Sequence, residues 1–305
     1  VLRFLASESE AGRRLDLALA ELAGVPRSQA RRWIDAGRVR VDGGRARAAH
    51  RVREGETLEA EPPEPVAASP APEPIPLAIL YEDADVIVID KPAGLVVHPA
   101  PGHPAGTLVN ALLHHCRDLA GIGGVLRPGI VHRLDRGTSG VMVAAKNDAA
   151  HAALAGQFRA HSVERVYLAL VRGLPGVDQG RVERAIGRHP QDRKRMSVAA
   201  PVGRAAATAW QVARRFESAG LTLLAVRPAT GRTHQIRVHL ASVGLPIVGD
   251  PVYGRGQPQL GLARPALHAR VLGFDHPRTG ARLRFEAPPP ADLAGALARL
   301  EGSAA

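Results

Sequence analysis

Between Pro62 and Pro76 stand seven prolines in fifteen residues, mixed with Ala, Glu and Ser. Proline offers no amide proton and resists helix and sheet interiors, so this composition supports an extended spacer but no core. The chain of 305 residues is therefore expected to fold as two parts. Residues 12–60 would form a small module, 61–76 the linker and 77–300 a large domain. The linker carboxylates Glu61, Glu64 and Glu73 have no basic residues beside them, so the tether itself is not expected to hold a polyanion.

The charge balance points to that class of partner all the same. A formal net charge of +11 and a pI near 11.0 favour nucleic acid or an anionic membrane surface, and no apolar run approaches membrane-spanning length. Lys91, Lys146 and Lys194 are the only lysines among 40 basic residues. Arginine suits bidentate phosphate contacts, although GC-rich coding produces the same bias. Aromatics make up only 3%, so the core has to be built from Val, Leu, Ile and Ala. The lone Cys116 excludes an intrachain disulfide, and without a charged-then-apolar leader the expected compartment is the cytoplasm. His114, His115 and Cys116 adjoin, but consecutive helical residues point about 100° apart and cannot share one ion. With no CxxC or HExxH elsewhere, no metal is expected.

In the small module Leu15, Leu19 and Leu22 recur at helical spacing. Pro26, Arg27 and Ser28 mark a turn and N-cap before a second helix that stops at Gly37, and two short strands follow, turned by Gly43 and Gly44. Arg27, Arg31 and Arg32 near that helix start, with Arg38 beyond it, make a cluster suited to phosphate. In the large domain Val86–Ile89 reads as a strand ending at DKPAGLVVHP, where Lys91 and His98 are more economically turn residues than chemistry. Residues 106–115 and 151–161 read as helices, and 163–173 as a strand carrying Tyr167. The segment 181–204 holds seven basic residues against two acidic ones, which favours a phosphate-tracking hairpin. Leu221–Val226 reads as a strand feeding a helix with Ile236, Leu240 and Val243 as its apolar stripe, Arg232 at the entry turn, and His234 and His239 in packing or capping roles.

Within this layout Gly129–Lys146, GIVHRLDRGTSGVMVAAK, sets one acid, Asp135, between Arg133 and Arg136 on a turn entering an apolar strand. HRLDRxTSG before such a strand resembles the central motif of the RluA-type pseudouridine synthases. The KPAGLVVHP, VYLALV, TGRTHQIRVHLA with GLPIVGDPVYG, and ALHA segments follow in that family's order, and residues 25–43 resemble the S4 RNA-binding signature with Arg27-Ser28 reversed. Gly137 departs from the Asp or Asn more often found in HRLDRDTSG. Among the family's branches the RluD subgroup, which modifies large-subunit ribosomal RNA, is the most similar.

The resemblance implies an α+β fold with a mixed, largely antiparallel sheet, preceded by a small S4-like module. It implies no cofactor, a monomer, and RNA as partner, with ribosomal RNA of the large subunit or its precursor expected. The activity implied is isomerisation of uridine to pseudouridine, with Asp135 catalytic, as nucleophile or as base. Arg133 and Tyr167 would bind the extruded uridine. Arg232 would pair with Asp135, since an acid working as an anion inside a pocket needs a fixed cation. Arg27, Ser28, Arg31, Arg32 and Arg38 would bind RNA. A tRNA-directed synthase would use the same pocket, whereas a silent assembly factor would lack the acid.

Overall fold

The computed structural model describes residues 1–23, 27–61, 70–100, 102–116, 129–192, 195–254 and 260–302, and of Ser28 and Gln29 only the backbone. Pro26, Glu64, Arg193, Lys194 and the Ser28 side chain therefore lie outside the described residues. The chain divides into two units, 1–68 and 69–305.

In the first unit β1 (Leu2–Leu5), α1 (Leu15–Leu22), α2 (Arg27–Asp35), β2 (Val39–Val41), β3 (Gly44–Arg45) and β4 (Thr57–Ala60) surround a single core. Leu15 and Leu19, one helical turn apart, are fully buried with Ala30, Ile34, Val39 and Leu58. The strands lie in the order β1-β4-β2-β3, all antiparallel. Because α2 begins at Arg27, Ser28 stands one residue inside the helix rather than capping it. Gly37, at φ +73, turns the chain out of α2 in the left-handed conformation that glycine adopts without strain.

The second unit contains β5 (Ala78–Glu82), β6 (Val86–Lys91), α3 (Leu108–His115), β7 (Gly129–Ile130), β8 (Ser139–Ala145), α4 (Asp148–Ala160), β9 (Glu164–Arg172) and β10 (Gln179–Glu183). It continues with β11 (Gly187–Arg188), β12 (Met196–Ser197), β13 (Ala207–Phe216), β14 (Leu221–Pro228), α5 (Gln235–Ser242), β15 (Leu267–Asp275), β16 (Arg282–Glu286) and α6 (Ala291–Gly302). One large sheet runs β10-β13-β14-β9-β15-β8-β6-β5, with β16 beside β15 and β7 beside β8, while β11 and β12 form a separate hairpin. Every pairing in the large sheet is antiparallel except β8 with β15, which are parallel and meet at only His268↔Ser139 and Ala269↔Gly140. The backbones come so close there that a Cβ on Gly140 would sit 2.2 Å from the Ala269 carbonyl oxygen. This narrow seam is covered on one face by α4, whose Leu154 joins Val141 and Val143 of β8 and Leu272 and Phe274 of β15 in one apolar cluster.

Two expectations need correction. Residues 70–76 are not a free spacer. The Ala71 carbonyl accepts from Asn110 Nδ2 at 2.7 Å, the Glu73 amide donates to the Asn110 carbonyl at 3.0 Å, and the Glu73 carboxylate accepts the Gly106 amide at 3.0 Å. The acid thus lies beside the N-terminus of α3, where Thr107 and Asn110 form a capping box. Val243 does not extend the stripe of α5, because the helix ends at Ser242 and leaves Val243 42% exposed, while Ile236 and Leu240 are buried.

Candidate active site

The turn carrying Asp135 is built by its neighbours. Leu134 is buried in the cluster formed by β6, β8 and α3, and the Thr138 amide donates to the Asp135 carbonyl at 3.0 Å, so the acid sits on a closed turn. A second loop is zipped to it: the Gly94 amide donates to the Arg136 carbonyl at 2.7 Å, and Arg136 Nε returns a bond to the Gly94 carbonyl at 3.2 Å. Lys91 braces that loop from below, fully buried, with Nζ donating to the carbonyls of Pro92 and Leu95 at 2.8 and 3.0 Å. Burial pulls the Lys91 ammonium down to about 8, against the opposing field of Asp135. Gly137 also has a local reason here, since a Cβ at that position would lie 2.9 Å from Pro265 Cδ.

The opposite contribution comes from the β14–α5 connection. His234, at φ 55, turns the backbone into α5, and the helix that follows is buried from Gln235 to Leu240. Arg237 is thereby carried inward. Its Nη1 donates to Asp135 Oδ2 at 3.1 Å, while Nε and Nη2 donate to the two oxygens of Asp250 at 2.6 and 2.8 Å. Arg232, the cation expected beside Asp135, is not its partner. It lies before the left-handed residue, lines the same cleft and donates from Nε to the Ala205 carbonyl at 3.1 Å.

Asp250 is the anchor of this arrangement. It accepts the amides of Val252 and Tyr253 at 2.9 and 3.1 Å as well as the guanidinium, so no oxygen is left bare in the interior. Burial alone would raise its carboxyl, yet the Arg237 hydrogen bonds and charge outweigh this and hold it low. The same balance acts on Arg237. Burial weakens the hold on its proton, but Asp250 first and Asp135 second raise it above the ordinary arginine value. Tyr253 covers the guanidinium, with Cζ of Arg237 5.1 Å from its ring centroid, and its hydroxyl meets His234 Nδ1 at 3.0 Å. The packing role expected of His234 is therefore joined by a place in the cleft, while His239 is a core residue bonded to Thr208 Oγ1 and the Arg184 carbonyl at 2.9 and 3.0 Å.

These pieces face a cleft of about 620 Å³ whose lining includes Arg133, Asp135, Tyr167 and Arg232, with Arg165 and Arg204 adding charge. Tyr167 stands on β9 opposite Val226 of β14, and burial raises its phenol, with Asp135 adding to the effect and Arg165 opposing it. His132 forms part of the wall. It stacks on Phe158 with centroids 4.6 Å apart and accepts the Val143 amide at Nε2, 3.1 Å away, which leaves its proton on Nδ1. Burial, aided by Arg165, lowers this imidazole to about 3.

In the first unit Arg27 differs from expectation. Its guanidinium is committed to the fully buried Asp16, at 3.0 and 2.8 Å, together with Arg14. Arg31, Arg32 and Arg38 are exposed, Arg31 within 3.4 Å of Asp35 one turn along. Arg31 shares a shallow groove with Arg45 and Arg47, which the sequence patterns did not single out. Outside the cleft, Glu82, His115 and Cys116 converge across β5 and α3, but the Glu82 carboxylate already takes the Lys146 ammonium at 2.8 Å and His115 Nε2 at 2.7 Å. Asp83, Asp85 and His276 also converge, with Asp83 and Asp85 bonded to His276 and Arg278 at 2.8 and 2.7 Å. Among the described residues no helix is long and apolar enough to cross a membrane.

The acid, its arginine and the tyrosine of β9 all fall inside residues 85–242, which match the family of RNA pseudouridylate synthases, and residues 13–58 match the S4 domain. The uncharacterized RNA pseudouridine synthase YlyB of Bacillus subtilis (strain 168) is 46% identical over 296 residues, covering 97% of this chain and 96% of its own. Ribosomal large subunit pseudouridine synthase D of Xanthomonas campestris is 45% identical over 311 residues, covering 98% and 92%. Among solved structures, human RNA pseudouridylate synthase domain containing 4 superposes with a TM-score of 0.56 at 26% identity, over 73% of this chain and 93% of that one. With sequence and fold in agreement across the unit that holds the cleft, the chain belongs to the RNA pseudouridine synthases, isomerases acting on RNA, and carries an S4 domain ahead of its catalytic unit.

Proposed function

We propose that Asp135 is the carboxylate acting on the ribose of a target uridine, and that the RNA is that of the large ribosomal subunit. The observation that carries this reading is the graded access along one chain of charges. The side chain of Asp250 is 0% exposed, Arg237 7% and Asp135 21%, so only the last acid opens onto the cleft. A charge held from behind and open in front costs little to reorganise when substrate arrives.

The isomerisation breaks the N1–C1′ bond, turns the uracil and joins C5 to C1′, and the proton lost from C5 is matched by one gained at N1. An ionised carboxylate serves this at the sugar, by attacking C1′ or by removing the 2′ proton. Extruding the base costs a few kcal/mol, which contacts from Tyr167 and Arg133 offset. Arg232 and the exposed arginines of the S4 domain, Arg31, Arg32 and Arg38, hold phosphates. The choice of ribosomal RNA is supported by relatives named ribosomal large subunit pseudouridine synthase D at 43–45% identity.

The test is a map of pseudouridines in ribosomal and transfer RNA from cells lacking the protein, complemented with wild type or Asp135→Asn. At least one large-subunit site should vanish and return with wild type only. Restoration by Asp135→Asn removes the catalytic assignment, and loss confined to transfer RNA removes the ribosomal one.

A further inference from the structure

The hairpin β11–β12 belongs to the basic segment between Arg181 and Arg204, and it reaches the site at Tyr253. The Met196 amide, on β12, donates to the Tyr253 hydroxyl at 2.8 Å. Since that hydroxyl oxygen accepts from Met196, its own proton is free to go to His234 Nδ1, 3.0 Å away at the entry to α5. The ring of the same tyrosine is shared by two guanidiniums, with Cζ of Arg195 5.6 Å and Cζ of Arg237 5.1 Å from its centroid. Its backbone amide is fixed by Asp250, the acid that also clamps Arg237. Among the described residues the buried Arg195 Nε has no hydrogen-bond partner, and this guanidinium lies against the ring while its amide donates to the Asp192 carbonyl at 2.9 Å.

We propose that Tyr253 is the positioning residue that couples the basic hairpin to the Arg237–Asp135 ion pair, so that seating RNA phosphates on the hairpin aligns the carboxylate. This rests on the reading of Asp135 as the reacting acid. The tyrosine touches no reacting atom. It acts by holding Arg237 under its ring and by passing the position of Met196 and Arg195 to the turn at His234. The partner recognised by the hairpin is phosphodiester backbone, which suits the excess of seven basic over two acidic residues between Arg181 and Arg204.

A double-mutant cycle decides the matter. Full-length wild type, Tyr253→Phe, Arg195→Ala and the double variant are compared on one ribosomal RNA fragment, measuring RNA affinity and the single-turnover rate at saturating enzyme. Tyr253→Phe keeps the ring but loses both hydroxyl bonds, and should slow single turnover about tenfold with affinity little changed, the scale of a small misplacement of a reacting group. Arg195→Ala should slow the rate in wild type but add almost nothing on top of Tyr253→Phe. Independent, multiplying losses would overturn the coupling, as would effects confined to affinity. Should Tyr253→Phe not fold by circular dichroism and thermal melting, Arg195→Ala alone still decides: a slower rate at saturation supports the proposal and weaker binding alone refutes it. Asp135→Asn runs alongside. If it remains active the reading of the acid fails, whereas an inactive Asp135→Asn with an unaltered Tyr253→Phe sinks only the coupling.

Discussion

Arg237 meets Asp135 across 102 residues of sequence, Nη1 to Oδ2 at 3.1 Å, and brings with it a second acid, Asp250, that never sees the cleft. One guanidinium thus serves two carboxylates of different standing. Asp250 fixes the fork, and Asp135 receives what remains of it.

This division separates the two arginines of the TGRTHQIR segment in the laboratory. Arg237→Met should reduce single-turnover isomerisation by about a hundredfold or more while RNA affinity stays near wild type, because the reacting acid loses its fixed partner. Arg232→Met should do the reverse, weakening binding and lowering the slope of log affinity against log salt by about one unit for one lost phosphate contact. Asp250→Asn, which loosens the fork without entering the cleft, should lie nearer Arg237→Met in rate and also lower the melting temperature, since it leaves a buried guanidinium underpaired. Equal loss of affinity in all three would show that the arginines share one role.

A second outcome concerns acid. His132 is held at about 3, far below its ordinary value, so the unfolded chain takes up a proton near pH 6.5 that the folded chain refuses. Its contribution is fully present above pH 6.5 and is lost progressively as pH falls towards 3. His132→Gln, which keeps an acceptor for the Val143 amide, should flatten the decline of denaturant-melt stability between pH 6.5 and 4 relative to wild type. Parallel curves would mean that other groups govern the acid limb.

The S4 domain supplies a third. Its core and the three apolar clusters of the catalytic unit share no residue among those described, so removal of residues 1–68 should leave the cleft folded. Binding to structured ribosomal RNA should weaken and its salt dependence flatten, while single turnover at saturating RNA persists. An identical salt slope for the full-length and shortened proteins would remove the domain from the RNA contact.

Much of this was legible beforehand. The first helix of the first unit followed from leucine spacing and the second from the turn before it and the stop at Gly37, and Asp135 and Tyr167 came from motifs whose turn and strand settings are those found. The partner of Asp135 was not, because two arginines five residues apart in one motif are equivalent until the chain direction between them is known. His234 in the left-handed region settles it, turning Arg237 inward and leaving Arg232 outside the helix. A signal did exist. Ile236, Val238 and Leu240 place apolar groups on several faces of a short helix, which marks it as buried all round, and an arginine inside such a helix demands acids. Asp250, in GDPVYG, was the available one. Arg27 misled for a related reason, since its acid lies eleven residues back on another helix.

The seam between β8 and β15 gives the ion pair a thermal character. Asp135 enters from the β8 side and Arg237 from beyond β14, and the two sides exchange only two ladder positions and the buried Ser139 Oγ–His268 Nδ1 hydrogen bond, so their register leans also on the oily cluster of Leu154, Val141, Leu272 and Phe274. Attraction of that kind fades on cooling, unlike the charge attraction it keeps in line. Chilling therefore acts on this enzyme twice, slowing the chemistry and relaxing the frame that holds acid and guanidinium face to face.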